Sequence, residues 1–374
     1  MGINACCDSS NMKKRPEESP DSPEYMTPTN NINQSYNNNN YYPGNSIPTN
    51  IKDSLYDRDT NTDSIISLKN KNTNISATNN REYKDVVFQP FRLSGSIDAH
   101  TDKIVCLIEL KSGSIASGSY DNTIKIWDIN SRQCTKTLRE SGKVLCLLEF
   151  EDNMILSGTN ENRIQLWNVH NTDGQSLRKY EGHLLWVNCL VKCNEEYFAS
   201  ASNDSDIRIW NYRDGQNINV LKGHKNCILS MIQLNDGRLC SGSADNTIKI
   251  WNWEKGTCES TITEQNNWIK TLYQLSNGYL LTGSQDQKIR VWNNFKIIKE
   301  LASHRKSIRS FCQIYNNNFA SASFDKTIKI WDINKFEVVQ TLEGHNSNVI
   351  CILYHSSNCL ISCSSDHTIK IWKN

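Results

Sequence analysis

Serine, histidine and aspartate, the residue types of a hydrolytic triad, occur together at fixed spacing in this sequence. His100, Ser117 and Asp121 form the first such set, and similar sets follow along the chain. A serine hydroxyl beside an imidazole that is held by a carboxylate can act as a nucleophile. However, five sets are complete, and no glycine-rich nucleophile turn accompanies any of them. We therefore interpret the sets as structural and predict that the protein is not an enzyme.

Two histidines and two cysteines near the carboxyl terminus suggest metal binding as a second chemistry. They are His355, Cys359, Cys363 and His367. On one extended strand, at about 3.3 Å per residue, Cys359 and Cys363 lie about 13 Å apart, whereas zinc binds its ligands at about 2.0–2.3 Å. We therefore predict no metal site, and we assign no cofactor.

Each serine, histidine and aspartate set keeps a fixed distance from a tryptophan. A hydroxyl residue stands ten residues before the tryptophan, an acidic residue six before it and usually a histidine twenty-seven before it. The seven tryptophans are Trp127, Trp167, Trp210, Trp251, Trp292, Trp331 and Trp372. The five complete sets are His100, Ser117, Asp121 and Trp127; His183, Ser200, Asp204 and Trp210; His224, Ser241, Asp245 and Trp251; His304, Ser321, Asp325 and Trp331; and His345, Ser362, Asp366 and Trp372.

The segments around the tryptophans read as short paired strands. Aliphatic residues stand one and three places before each tryptophan, and alternation with a period of two indicates a β-strand. A stretch of small residues and a turn with an acidic residue precede this strand, which indicates a tight connection between two strands. A unit of about 40 residues that ends in this way is typical of one blade of a propeller.

On these residues the chain resembles the WD-repeat family of β-propellers, from about residue 91 to the end. Gly182-His183 and Gly223-His224 match the Gly-His element of the family, and Trp127-Asp128 matches its Trp-Asp dipeptide. Gly344-His345 and Trp331-Asp332 are further examples. The resemblance implies four antiparallel strands per blade, with Asp, His, Ser or Thr, and Trp joined in a buried hydrogen-bonded network.

Two repeats depart from the family pattern. The second has Glu140 and Glu161 at the histidine and aspartate positions, so two carboxylates would meet unless one is protonated or both turn into solvent. The fifth has Gln265 at the histidine position. Its amide could still donate a hydrogen bond to Asp286.

The last repeat ends soon after Trp372 and lacks an outer strand. Residues 91–100 (FRLSGSIDAH) align without gaps on residues 336–345 (FEVVQTLEGH), which provide an outer strand elsewhere. We therefore predict an all-β fold, a seven-bladed β-propeller closed by an N-terminal strand that completes the last blade and removes the open edges.

Composition separates residues 1–85 from residues 86–374. The first part is rich in Asn, Ser, Thr and Pro and has few apolar residues, so we predict a disordered tail there and the propeller in the second part. The net charge is +1, from 41 Lys and Arg against 40 Asp and Glu, which disfavours nucleic acid as a partner. No stretch reaches the roughly 20 apolar residues of a membrane span.

The amino terminus carries an acylation-like motif. Gly2 follows Met1 and is an acceptor position for myristate, although Cys6 stands where the strict motif has Ser or Thr. Cys6 and Cys7 are candidate palmitoylation sites. Since one myristoyl chain binds a membrane only marginally, a second lipid would make attachment stable. We predict a cytoplasmic protein held at the cytosolic face of a membrane.

The family resemblance also places a set of residues around the mouth of the central channel. Aromatic side chains dominate binding hot spots, and nearby cations would favour an acidic protein or peptide partner. The aromatic candidates are Tyr120, Trp186, Trp268 and Phe324, and the cationic ones are Lys103, Lys143, Lys225 and Arg305.

Three functions are consistent with this reading. The first is a non-enzymatic scaffold that binds proteins at the propeller rim. The second is the substrate-recognition subunit of a ubiquitin ligase, for which residues 210–213 (WNYR) only partly match the adaptor motif and no F-box-like segment is apparent. The third is a G-protein β-like subunit, which would need an N-terminal heptad helix that the Asn-rich tail lacks. The partner and the oligomeric state do not follow from the sequence.

Overall fold

The structure is a computed structural model and describes residues 88–171, 174–263, 267–314 and 317–374. In this part of the chain, 28 strands form seven four-stranded antiparallel sheets. The described residues contain no helix that is long and apolar enough to cross a membrane. The predicted all-β, seven-bladed propeller is confirmed.

The strands follow the order of the repeats. The first, β1 (Arg92–Asp98), belongs to the last blade. Blade 1 has β2 (Ile104–Glu109), β3 (Ile115–Ser119), β4 (Thr123–Asp128) and β5 (Gln133–Arg139); blade 2 has β6 (Val144–Glu151), β7 (Met154–Thr159), β8 (Ile164–Asn168) and β9 (Arg178–Tyr180); blade 3 has β10 (Val187–Lys192), β11 (Tyr197–Ser202), β12 (Ile207–Asn211) and β13 (Asn217–Leu221). Blade 4 has β14 (Ile228–Gln233), β15 (Leu239–Ser243), β16 (Ile248–Asn252) and β17 (Thr257–Ile262); blade 5 has β18 (Ile269–Gln274), β19 (Leu280–Ser284), β20 (Lys288–Asn293) and β21 (Lys296–Ala302). Blade 6 has β22 (Ile308–Ile314), β23 (Asn318–Ser323), β24 (Ile328–Asp332) and β25 (Val338–Leu342); blade 7 has β26 (Val349–His355), β27 (Cys359–Ser364) and β28 (Thr368–Lys373).

The core of the propeller lies between neighbouring blades. Ile124 and Ile126 of blade 1 pack in one buried cluster with Val144 and Trp167 of blade 2, and a similar cluster lies at each following junction. Close packing requires small residues in the second strand of a blade. A Cβ atom on Gly118 would lie 2.5 Å from both the Cys106 sulfur and a methyl carbon of Val144. Alternating small and large apolar residues therefore let sheets stack closely around the ring.

Strand β1 closes the ring. It pairs with β28, with Leu93 opposite Trp372 and Ile97 opposite Ile369. Just before β1, Phe91 is buried at 3% exposure, and its amide and carbonyl groups bond to the Gln340 side chain of blade 6 at 2.9 and 2.7 Å. Closure by an N-terminal strand is therefore confirmed.

The two faces of the propeller differ in the loops that they carry. The loops that precede each innermost strand, and the turns between the second and third strands, lie at one face, which we call the rim face. Because β1 runs antiparallel to β28 and Arg92 pairs with Lys373, the chain enters β1 from the opposite face.

Side chains at the opposite face tie each blade to its neighbour. The Glu149 carboxylate of blade 2 accepts a hydrogen bond from the Lys111 amide of blade 1 at 2.8 Å. Across the closure, Glu109 of blade 1 accepts one from the Ser356 amide of blade 7 at 3.2 Å. Equivalent bonds join Gln274 to Asn235 and Gln313 to Ser276. These bonds join blades 1 and 2, 7 and 1, 4 and 5, and 5 and 6.

Candidate functional site

The serine, histidine and aspartate sets form one buried hydrogen-bonded chain in each blade that has them. In blade 1, the Trp127 indole donates to Ser117 Oγ at 2.8 Å, Ser117 Oγ lies 2.7 Å from His100 Nε2, and His100 Nδ1 lies 2.8 Å from Asp121. Because the carboxylate needs a donor, the proton belongs on Nδ1, and the serine hydroxyl donates to Nε2. The same contacts recur at 2.7–2.9 Å around Ser200, Ser241, Ser321 and Ser362.

In this arrangement, the serine hydroxyl and the imidazole that hydrolysis would need are already hydrogen-bonded within the blade. The Ser117 side chain is fully buried, and its oxygen is already engaged by the indole and the imidazole. A nucleophilic serine must instead present its oxygen to a substrate. The geometry therefore accounts for the triad-like residues as structural elements of the blades.

The aspartate of each set joins two segments of the rim face. Asp204 accepts hydrogen bonds from His183 at 2.8 Å, from the Leu184 amide at 3.0 Å and from the Asp206 amide at 3.0 Å. Burial alone would raise the pKa of Asp204, but these bonds outweigh it and lower the pKa to about 2. For His224, burial has the largest effect and lowers the pKa of the imidazole. In blade 4, the Asp245 carboxylate therefore pairs with a neutral His224 imidazole at pH 7.

Steric constraints explain why glycine precedes the histidine in the Gly-His element. Gly344 has a φ of 152°, which side chains disfavour, and a Cβ atom there would lie 3.3 Å from the Trp372 ring. Gly344 therefore lets the loop pass close to the tryptophan and brings His345 into the network.

Blade 2 replaces the histidine with a buried carboxyl group. Glu140 receives hydrogen bonds from Ser157, Gln165 and the Trp167 indole, the last at 3.0 Å. Burial raises the pKa of Glu140, although these donors partly oppose the shift. Glu161 is exposed, so the two carboxylates do not meet: one is buried with donors and the other lies in solvent.

Glu140→Gln is expected to stabilise the protein at neutral pH, with a gain that shrinks as the pH falls. Because burial raises the pKa above 4.5, the folded state binds the carboxyl proton more tightly than the unfolded chain. Ionisation therefore penalises the folded state, and the penalty grows as the pH rises from 4.5 through the folded-state pKa. Free energies of unfolding measured in urea from about pH 4 to about pH 8 check this.

Glu161→Gln is the matched control, since Glu161 is exposed. It should change the stability little at any pH. A Glu140→Gln gain that is the same at every pH would contradict the assignment of a costly buried charge.

Blade 5 uses a residue that the sequence pattern did not single out. Gln265 lies outside the described residues, so its predicted bond to Asp286 has no observed counterpart. Instead, the buried Arg290 contacts Asp286 at 2.6 Å and Glu300 at 2.8 Å. Trp292 still donates to Thr282 Oγ1 at 3.1 Å. Arg290 stands two residues before Trp292, where most other blades also have a cation, and this regularity could have indicated it.

The residues predicted to bind a partner lie on the rim face, either in the loop before an innermost strand or just after a second strand. The Tyr120 amide donates to the Lys103 carbonyl at 3.0 Å, and the Phe324 amide makes the equivalent bond to Ser307. Trp186 and Trp268 accept the corresponding bonds in blades 3 and 5. The four predicted aromatic residues therefore occupy two positions that face each other across this bond: Trp186 and Trp268 precede an innermost strand, and Tyr120 and Phe324 follow a second strand. All four are half-buried.

Cations lie over three of these aromatic rings. Lys103 Nζ is 4.2 Å and Lys143 Nζ is 4.9 Å from the centre of the Tyr120 ring, so two lysines share one ring at the junction of blades 1 and 2. Lys270 lies 4.4 Å over Trp268, and Arg309 lies 5.5 Å from Phe324. Lys225 and Arg305 are exposed on their loops.

Sequence reasoning missed Lys270 and Arg309. Each lies two residues after its rim position, on the same side of an innermost strand, and a period of two could have indicated both. It also missed Leu184 and Leu185, which are exposed beside Trp186.

The histidines and cysteines near the carboxyl terminus do not converge. His355 Nε2 donates to the Gly113 carbonyl at 2.8 Å, and its Nδ1 bonds to Ser357. His367 lies in the turn after Asp366. Among the described residues, no group of three His, Cys, Asp or Glu side chains is placed to hold a metal ion.

Gly2, Cys6 and Cys7 lie outside the described residues, as does the remainder of the tail. The acylation motif therefore stays a prediction from the sequence.

A comparison with protein families matches the WD40 family, described as WD domain, G-beta repeat. The matches cover more than half of the chain, at residues 91–128, 174–211, 215–252, 256–293, 295–332 and 336–373. Residues 129–173, which hold most of blade 2 and its Glu140 substitution, lie between the first two matches.

Among curated proteins, the chain is 35% identical over 78 residues to a probable E3 ubiquitin ligase complex SCF subunit of Talaromyces marneffei, which is 18% of this chain and 12% of that protein. It is 37% identical over 57 residues to WD repeat-containing protein 18 of Rattus norvegicus, and 36% identical to the Homo sapiens protein over the same length. The latter two matches cover 15% of this chain and 13% of each relative. The chain thus spans about one eighth of the length of these relatives.

Proposed function

Because the chain belongs to the WD40 repeat family, we propose that it is a non-enzymatic scaffold whose rim face binds a segment of a partner protein. The observation that carries the proposal is the set of four half-buried aromatic residues on the rim face, three of which have cations over them, such as Tyr120 between Lys103 and Lys143. The buried networks support the same role, because they hold the rim loops in fixed positions before binding.

An acidic segment fits this surface best. Lys143 and Lys225 carry no ion pair within the part of the chain that the structure describes, and Arg305 is exposed nearby on blade 6. Carboxylates of a partner would neutralise these cations and raise the rate of association.

The second part of the proposal is that acylation at Gly2, Cys6 and Cys7 tethers the scaffold to the cytosolic face of a membrane. The motif itself supports this, since two lipids are needed for stable attachment. The geometry of β1 is compatible with it, because the described chain enters β1 at the face opposite to the rim.

One experiment in cells that express the full chain tests both parts. A photo-crosslinking amino acid at Phe324 should capture a partner protein, whereas the same group at Ile218, an exposed residue of outer strand β13, should not. Substitution of Tyr120 and Trp268 by alanine should reduce the Phe324 crosslink by about tenfold or more, since hot-spot side chains contribute about 2 kcal/mol or more each. Alkyne myristate should label the wild type but not Gly2→Ala.

Equal crosslinking from Phe324 and Ile218 would contradict a specific rim site. Membrane association that persists in both Gly2→Ala and the Cys6→Ser, Cys7→Ser double variant would remove the lipid tether and leave the scaffold.

A ubiquitin-ligase subunit is a second candidate function. Its support is the match to the SCF subunit of Talaromyces marneffei, which covers only 12% of that protein. Purification of the full chain with ubiquitin-ligase activity would favour it over a simple scaffold.

A further inference from the structure

Among the six rim loops that the structure describes in full, only the loop of blade 3 presents adjacent apolar side chains to solvent. In blade 3, Leu184 is 74% exposed, Leu185 is 48% exposed, and Trp186 follows at the rim. In the same place, blades 1 and 2 have Thr101-Asp102-Lys103 and Ser141-Gly142-Lys143. Blades 4, 6 and 7 have Lys225-Asn226-Cys227, Arg305-Lys306-Ser307 and Asn346-Ser347-Asn348. Adjacent exposed leucines are unfavourable in water, and they stand out against the loops of these five blades.

Three hydrogen bonds hold the backbone of this loop in place. The Leu184 amide donates to Asp204 at 3.0 Å, and its carbonyl accepts from the Asn162 side chain of blade 2 at 2.8 Å. The Leu185 carbonyl accepts from Ser202 Oγ at 3.0 Å. When a partner covers the leucines, the loop would therefore lose little conformational entropy.

Cations lie on both sides of the loop. Lys143 belongs to blade 2, where Asn160 holds its amide at 2.7 Å, and Lys225 belongs to blade 4. The neighbouring carboxylates are Asp204, which is bonded to the histidine of its own blade, and Glu161, which is exposed. On the outer side, Arg163 and Glu181 approach each other at 4.0 Å.

We propose that Leu184, Leu185 and Trp186 form the anchor site for a partner segment in which a large apolar side chain has acidic residues on both sides. The apolar residue covers the two leucines, and the acidic residues reach Lys143 and Lys225. This inference rests on the proposed function and specifies which part of the rim binds and which segment it accepts. An anionic lipid surface fits less well, because Glu161 and the network aspartates would face the same lipid charge.

Fluorescence polarisation with the full-length protein tests the site. The probe is a fluorescein-labelled synthetic peptide with one phenylalanine between aspartates. The Leu184→Ser, Leu185→Ser double variant should bind it about tenfold more weakly or worse, because the apolar contact is lost. Leu177→Ser, at 50% exposure away from this loop, should bind it as the wild type does. The Lys143→Gln, Lys225→Gln double variant should weaken binding and reduce its dependence on salt.

The melting temperature separates binding from folding. Since both leucines are exposed in the folded state, the double serine variant should melt at the wild-type temperature. A peptide with serine in place of phenylalanine, and one with asparagine in place of aspartate, should each bind more weakly than the probe.

The outcomes distinguish this inference from the function on which it rests. If the double serine variant binds the probe as well as the wild type while the Phe324 crosslink persists, the anchor site is wrong and the rim scaffold stands. If the wild type neither binds the probe nor crosslinks from Phe324, both are wrong. Binding to phosphatidylserine vesicles that the serine variant loses, without binding to the peptide, would overturn the anchor site in favour of a lipid surface.

Discussion

A variant that lacks residues 1–98 is expected to be unfolded or strongly destabilised, whereas a variant that lacks residues 1–80 should melt as the full chain does. Loss of β1 leaves β28 as an open edge and removes Phe91 and Ile97 from the core. Burial of these two side chains alone contributes about 1.5–3 kcal/mol each, which is a large share of a typical free energy of unfolding of about 5–15 kcal/mol. Thermal unfolding followed by circular dichroism measures the difference.

A synthetic peptide that carries residues 86–100 provides the control. Added to the shorter variant, it should pair with β28 and restore part of the lost melting temperature, since it supplies the missing strand. Equal melting temperatures for the two deletions would show that β1 does not hold the ring closed.

Ser241→Ala is expected to destabilise the protein by about 2–6 kcal/mol, and Ser157→Ala by clearly less. In blade 4, loss of Ser241 Oγ leaves both the Trp251 indole and His224 Nε2 buried without this partner, at about 1–3 kcal/mol each. In blade 2, the Trp167 indole keeps Glu140 at 3.0 Å after Ser157 is lost. Both serines are fully buried, so the two variants differ in the hydrogen-bond partners that remain after the hydroxyl is lost.

Urea unfolding of both variants at pH 7 decides between these values. Equal losses would mean that Glu140 does not take over the indole, and that the substitution in blade 2 has no compensating bond.

The architecture could be predicted from the sequence because it depends on features that repeat. The spacing of Trp127 and its equivalents fixes the number of blades, and the alignment of residues 91–100 on residues 336–345 indicates the closing strand. The partners of side chains at the exceptional positions could not be predicted. Whether Glu140 or Glu161 would be buried depends on Gln165 and Ser157, which only the folded blade brings together with Glu140.

The same reason limits the prediction of the rim. The sequence shows that residues 120 and 268 are aromatic. The cations over their rings, however, come from an adjacent blade, as Lys143 does over Tyr120, or from two residues further along the strand, as Lys270 does over Trp268. Exposure of Leu184 could not be inferred from its type, since a leucine near Trp186 would ordinarily be assigned to the core. A search of the repeats for the loop that differs from the others would have found it.

The direction in which the chain enters β1 also decides how the propeller bears mechanical load. If a partner pulls at the rim face while the tail is held, the force acts along β1 and slides it past β28. The paired residues between Arg92 and Asp98 then resist together, in shear, and are not peeled apart one after another. For such a force, the strength of the closure would depend on all the β1–β28 pairs together rather than on one terminal pair.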